Sequence, residues 1–208
     1  MRIYTRKGDD GTTGLLYGGR VGKASPRIEL NGAVDEAQAA LGAARAESAP
    51  GSELDELLIT LERELYVLMA EVATAPANRA KLVPGESLVT EAMVARLEEW
   101  IDQLTERFPM PREFVVPGAN RASAALDVAR TVVRRAERVL ASTAPLQEGT
   151  AGLRGAGAEP SRVGPYLNRL SDLLWTMARW QEGEVHLAAR EQPGRRSRQG
   201  ARGEGSPA

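Results

Sequence analysis

At 208 residues, with 42% hydrophobic side chains and a formal net charge of −1, the chain can bury one sizeable core and lacks the basic surplus of a dedicated nucleic-acid binder. The absence of cysteine excludes thiolate nucleophiles, cysteine zinc sites and disulfides, and the single histidine, His186, excludes multi-histidine metal centres. Aromatics reach only 4%, no run approaches the ~18 apolar residues of a membrane span, and the opening MRIYTRKGDD has no apolar signal core, so a soluble, cytoplasmic, all-α protein without nucleic-acid or membrane partners is expected.

Residues 1–24 form a Gly- and Thr-rich opening with six glycines and the cations Arg6, Lys7, Arg20 and Lys23 spread among hydroxyls. Glycines let backbone N–H groups converge on phosphate oxygens, and cations neutralise charge, so this loop is built to approach an anion. A disordered tail would not need Ile3, Tyr4, Leu15, Leu16 and Val21 interleaved with the polar residues. It is not a P-loop: Tyr17 stands where the first glycine of G-x-x-x-x-G-K-[ST] belongs, and Ala24 replaces the hydroxyl residue.

Ser25-Pro26 reads as an N-cap followed by proline at the first helical position, opening a helix to about Glu47 with Ile28, Ala33 or Val34, Ala37, Leu41 and Ala44 inward. Asp35 and Glu36 are expected as an exposed acidic doublet. Ser52 caps a second helix whose stripe Leu54, Leu57, Leu58, Leu61, Leu65, Leu68, Met69 and Val72 marks it as core without evident chemistry. A loop with Pro84-Gly85 leads to a third helix from about Thr90 to Arg107, ended by Pro109 and Pro111.

The stretch from Phe114 to Leu140 joins an extended segment, a Pro117-Gly118 turn, an Asn120 N-cap and an uninterrupted helix. Helical spacing predicts one face of Ala125, Val128, Ala129, Val132, Ala136, Val139 and Leu140, and an opposite face of Asp127, Arg130, Arg134, Glu137 and Arg138. That second face reads either as solvated ion pairs contributing roughly 0.2–0.5 kcal/mol each or, since every base on it is Arg, as a surface for bidentate recognition of phosphate or carboxylate. Residues 143–164 are small and polar and read as a flexible connector. Pro165 then starts a last helix reaching Arg190, with Tyr166, Leu170, Leu173, Leu174, Met177 and Trp180 inward and His186 on the surface near its end. The chain is thus expected as one domain over 1–190, followed by a disordered Arg/Gly-rich tail at 191–208.

Six segments in order, between residue 3 and about residue 180, resemble the PduO-type ATP:cob(I)alamin adenosyltransferases. They are Thr5-Arg-Lys-Gly-Asp-Asp-Gly-Thr-Thr-Gly-Leu15, Gly19-Arg-Val-Gly-Lys23, Glu29-Leu-Asn-Gly-Ala-Val-Asp-Glu36, Phe114-Val-Val-Pro-Gly118, Ala129-Arg-Thr-Val-Val-Arg-Arg-Ala-Glu-Arg138 and Tyr166-Leu-Asn-Arg-Leu-Ser-Asp172. The resemblance implies a five-helix, four-helix-type up-and-down bundle in a ferritin-like arrangement, with an N-terminal nucleotide-binding loop. It also implies a homotrimer whose active sites lie between neighbouring subunits.

The implied reaction is attack of cob(I)alamin on the 5′ carbon of ATP, with Mg²⁺ on the phosphates, giving adenosylcobalamin and triphosphate. By the same resemblance Thr5, Arg6, Lys7, Gly8, Thr13, Gly14 and Lys23 contact ATP, as do Arg134, Arg135, Glu137, Arg138 and Asn168. Arg130 and Asp35 match a salt bridge across the subunit interface beside the corrinoid, and Phe114 matches an aromatic below the cobalt that helps to expel its axial ligand. A reductase supplying cob(I)alamin and an adenosylcobalamin-dependent acceptor enzyme are the implied partners, and no protein metal ligand is named. The chain has Ala119 where the family usually has a second glycine, and Asp127 and Val133 where it often has His and Cys. The alternative on the same fold is a non-enzymatic ATP or corrinoid sensor or carrier, which would bind ATP without turnover; a helical adaptor would instead bind polyanions with steep salt dependence and ignore ATP.

Overall fold

The computed structural model describes residues 3–148, 160–184 and 186–190, with the side chains of 143–148 left aside. Five helices carry the fold: α1 (Pro26–Ala46), α2 (Glu53–Val72), α3 (Glu91–Thr105), α4 (Arg121–Glu148) and α5 (Val163–Glu182). The chain sets their starts locally. Ser52 accepts from the Asp55 amide at 3.3 Å and Thr90 from the Met93 amide at 3.3 Å. Asn120 and Ser123 cap α4 reciprocally: Asn120 Oδ1 accepts from the Ser123 amide at 2.8 Å, and Ser123 Oγ accepts from the Asn120 amide at 3.2 Å.

The helices pack α2 on α1, α1 on α4, α4 on α5 and α5 on α3. Fully buried Leu41, Leu58, Leu61, Leu65, Leu97, Leu126, Leu167, Leu170 and Leu173 fill the space between them, each stabilising by roughly 1.5–3 kcal/mol through area removed from water. Among the described residues no helix is long and apolar enough to cross a membrane.

The opening loop is partly ordered as a hairpin. Strands β1 (Thr12–Gly14) and β2 (Arg20–Gly22) pair antiparallel, Thr13 opposite Val21. Leu16 donates its amide to the Ala73 carbonyl at 3.0 Å, and Asn78 reaches the Tyr17 carbonyl at 3.3 Å. The hairpin is therefore fixed where α2 ends and a 3-10 helix, Pro76–Lys81, begins.

Several expected boundaries and faces differ. Helix α4 runs on through Glu148, so the first six residues of the expected 143–164 connector are helical, 149–159 lie outside the described residues and α5 already begins at Val163. Helix α5 stops at Glu182 rather than continuing to Arg190, because Gly183 takes φ 67° and turns the chain back. The expected tail at 191–208 lies outside the described residues. In α4, Val128 is exposed and Asp127 buried, the reverse of the expected faces; the buried stripe is Ser123, Leu126, Ala129, Val133 and Ala136. Leu30, rather than Ile28, is the buried residue at the start of α1.

Helix α2, expected to be plain core, buries two glutamates. Glu64 accepts from the Tyr166 hydroxyl at 2.7 Å and pairs with Arg96 at 3.0 Å, and burial pushes its carboxyl above the usual range. Glu71 receives Arg79 Nη2 at 2.9 Å, the Ser161 hydroxyl at 2.6 Å and the Val89 amide at 2.8 Å, tying α2 to the segments that lead into α3 and α5.

Candidate functional site

Where α5 ends, a cleft of about 840 Å³ opens between the 111–117 segment, α4, α5 and residues 189–190. Five arginines, 112, 130, 134, 179 and 190, line it against the carboxylates of Glu113, Asp127 and Asp172, with Phe114, Val115 and Trp175 as apolar wall. Three of the expected residues, Phe114, Arg130 and Arg134, thus share one cavity. The Phe114 strand is held in place by the chain returning after Gly183. The Ala189 amide donates to the Phe114 carbonyl at 2.8 Å, and the Val116 amide to the Leu187 carbonyl at 2.8 Å. Phe114 itself is 90% exposed, its ring presented to whatever enters.

Buried charge lies behind that wall. Asp127 pairs with Arg130 Nε at 3.2 Å and with Arg179 Nη2 at 2.6 Å. Arg179 also meets Glu182 at 2.8 Å, and Glu182 meets His186 Nδ1 at 3.1 Å. His186, expected on the surface of a helix, is instead mostly buried beyond the helix end and packs edge-on to Phe108 at 6.3 Å. Sequence reasoning missed Arg179, Glu182 and His186 as a group. The available signal was the Arg179–Glu182 spacing of three in the last turns of a helix whose core face is apolar.

The remaining expected residues divide into two sets. On α4, Arg135 forms an ion pair with Glu36 of α1. Arg138 donates to the Arg134 carbonyl at 3.1 Å, and Asn168 donates to Glu137 at 2.9 Å across the α4–α5 seam. In the opening loop Thr5 accepts from the Lys7 amide at 3.4 Å, Arg6 lies 5.5 Å over the Tyr4 ring with φ 61°, and Lys23 donates its amide to the Gly11 carbonyl at 2.9 Å. Gly8 faces Lys23: a Cβ there would lie 3.2 Å from Lys23 Nζ. Thr13 and Gly14 lie on β1 opposite Val21 and Arg20.

Arg20 fastens the loop to itself. It donates Nε to Thr12 Oγ1 at 3.0 Å and Nη2 to the Lys7 carbonyl at 2.5 Å. The Thr12 hydroxyl, then its amide, hold the Asp10 carboxyl below its usual range. Among the described residues no hydrogen bond or ion pair joins residues 5–23 to Arg134, Arg135, Glu137, Arg138 or Asn168, and Asp35 is exposed without a partner.

Fold and site together define a helical-bundle protein with an open, arginine-lined cleft at one end and a glycine-rich, cationic hairpin at the other. The model of the cobalamin adenosyltransferase family matches residues 3–181, and the chain belongs to that family. It is 40% identical over 178 residues to a corrinoid adenosyltransferase of Mycobacterium tuberculosis, covering 86% of this chain and 87% of the relative. It is 40% identical over 188 residues to one from Citrobacter freundii, covering 90% and 99%. A variant PduO-type ATP:corrinoid adenosyltransferase from Lactobacillus reuteri, solved in complex with cobalamin and ATP, superposes with a TM-score of 0.75 at 27% identity, covering 91% of this chain and 100% of that one.

Proposed function

We propose that the protein transfers the 5′-deoxyadenosyl group of ATP to cob(I)alamin, releasing triphosphate and adenosylcobalamin. The observation that carries this reading is that Phe114, Arg130 and Arg134 line one cleft in a member of the cobalamin adenosyltransferase family. The cobalt electron pair forms the Co–C bond as the C5′–O bond breaks, and the departing triphosphate takes that bond's electrons. The nucleophile belongs to the corrinoid substrate, so the protein needs no catalytic Ser, Cys or His. Its work is to align cobalt with carbon and to stabilise charge gathering on the leaving group.

Arg134 and Arg138 suit that second task, since guanidinium groups meet phosphate oxygens in bidentate fashion. Arg135 and Glu137 are already held by Glu36 and Asn168, which suits them to orienting their neighbours around the phosphates. Phe114 forms the lower wall beneath cobalt; an aromatic face cannot coordinate the metal, so the axial ligand has no replacement there.

The opening-loop residues Thr5, Arg6, Lys7, Gly8, Thr13, Gly14 and Lys23 meet the same nucleotide from a neighbouring subunit. Among the described residues they make no bond to the α4 arginines of their own chain, which supports that reading, as does Asp35, unpaired among those residues, which suits an ion pair with a neighbour's Arg130. Mg²⁺ enters on the phosphates. In the loop Asp10 is committed to Thr12 and Arg20, whereas Asp9 is exposed with its carboxylate unpaired among the described residues, which suits a water-mediated contact with that ion. The working molecule is accordingly a cytoplasmic homotrimer of ferritin-like bundles, each a single unit over 1–190, fed by a corrinoid reductase and drained by an adenosylcobalamin-dependent enzyme.

The test is anaerobic. Purified protein is mixed with ATP, Mg²⁺ and chemically reduced cobalamin, and cob(I)alamin loss is followed by absorbance with products separated by chromatography. Adenosylcobalamin and triphosphate in equal amounts are expected; a folded protein that binds ATP and yields neither would overturn the proposal.

A further inference from the structure

Asp127 is 5% exposed, yet both of its carboxylate oxygens are engaged. Oδ1 receives Arg130 Nε at 3.2 Å, and Oδ2 receives Arg179 Nη2 at 2.6 Å. Arg179 is only 1% exposed, is held at Nε and Nη2 by Glu182, and lies 5.7 Å over the Trp175 ring. The carboxylate is therefore fixed from behind and cannot follow a moving side chain. Arg130 bonds to it through Nε alone, and among the described residues its two terminal amino groups have no partner, leaving that edge of the guanidinium to the cleft it lines.

A free arginine samples many rotamers, and ordering it when substrate arrives costs binding free energy. A charge-assisted bond to a buried anchor does that ordering in advance. Resting on the reading of Arg130 as a corrinoid-site residue, we propose that Asp127 is a positioning residue for adenosyl transfer: the anchor that aims the Arg130 guanidinium into the cleft.

Asp127→Asn keeps the shape and removes the charge. In the assembled full-length protein it should lower kcat/KM for reduced corrinoid about tenfold or more while leaving KM for ATP within about twofold, because Arg130 is present but no longer held. Glu182→Gln is the control. It also strips one carboxylate from Arg179, so it should lower Tm comparably, yet it does not touch Arg130 and should keep corrinoid kcat/KM within about twofold. Introduced into Arg130→Ala, the Asp127→Asn change should add no further loss.

If Glu182→Gln loses as much activity, or if Asp127→Asn exacts its full factor on top of Arg130→Ala, Asp127 acts through stability and the inference is overturned while Arg130 keeps its role. If Arg130→Ala turns over like the unaltered protein, the reading of Arg130 falls and the inference falls with it. Should Asp127→Asn not fold, the double variant Asp127→Asn, Arg179→Met removes the buried cation together with its partner. The same fall in corrinoid kcat/KM is expected from it, and unchanged turnover overturns the inference.

Discussion

The cleft at one end of the bundle and the hairpin at the other are built differently. At the cleft, Asp127, Arg179 and Glu182 are in contact and nearly sealed from water, with Phe114, Val116, Val128 and Leu187 and the arginines Arg112, Arg134 and Arg190 exposed around them. In the hairpin no charged side chain is buried: Arg6, Lys7, Arg20 and Lys23 are exposed, and Asp10 is spent on fastening the loop. Exposed apolar groups beside buried charge mark a surface prepared before its ligand arrives. Exposed cations on a glycine-rich turn mark one that gains its order from an anion. The cleft end should therefore govern how fast the reaction runs, and the hairpin end how tightly nucleotide is held.

Arg134→Ala breaks that division most sharply. Arg134 is exposed and lines the cleft, and its side chain supports no core contact, so Tm should stay close to that of the unaltered protein. Loss of one donor to developing charge on the leaving group should lower kcat by about 10²–10³-fold. Near-normal turnover in a folded variant would remove Arg134 from the reaction. Phe114→Ala should have a smaller effect of a different kind: both substrates still bind, but alkylation slows roughly 10–100-fold, equivalent to about 1.4–2.7 kcal/mol of barrier. Single-turnover kinetics with saturating substrates would show it, and an unchanged rate constant would make the exposed ring a packing feature only.

Most of the fold is visible in the sequence because helix starts and breaks are local chemistry. Ser25-Pro26, Ser52, Thr90 and Asn120 each mark a helix start that the structure keeps. Faces and ends were harder to read. Helix α4 is sandwiched between α1 and α5, so a single apolar stripe does not describe it: the expected Ala129 and Ala136 are buried, but so are Leu126 and Val133, while Ala125 and Val132 are only partly buried and Val128 is exposed. The end of α5 depends on Gly183 leaving the helix so that residues 187–189 can pair with 114–116, a long-range match invisible to helical spacing. For the same reason Asp127 read as half of a surface ion pair: its second partner, Arg179, lies 52 positions away. The candidate residues themselves were legible only as motifs. Composition supplied an arginine face and a cationic loop, but not the strand and cleft that bring Phe114 to Arg130.

The hairpin end is probed most gently at Gly8. A Cβ there would lie 3.1 Å from the Thr12 carbonyl oxygen and 3.2 Å from Lys23 Nζ. The first neighbour is backbone inside β1 and can give little, whereas the lysine tip can swing away. Gly8→Ala should therefore leave the bundle intact and displace the Lys23 ammonium from the loop's inner side. If that ammonium meets nucleotide phosphates equally in the ground and transition states, KM for ATP should rise about 3–10-fold, or about 0.7–1.4 kcal/mol, with kcat within about twofold. A kcat that fell in step with kcat/KM would instead assign the loop to the transition state and erase the division between the two ends. An unchanged KM would mean that ATP never reaches the face of the hairpin where Gly8 and Lys23 meet.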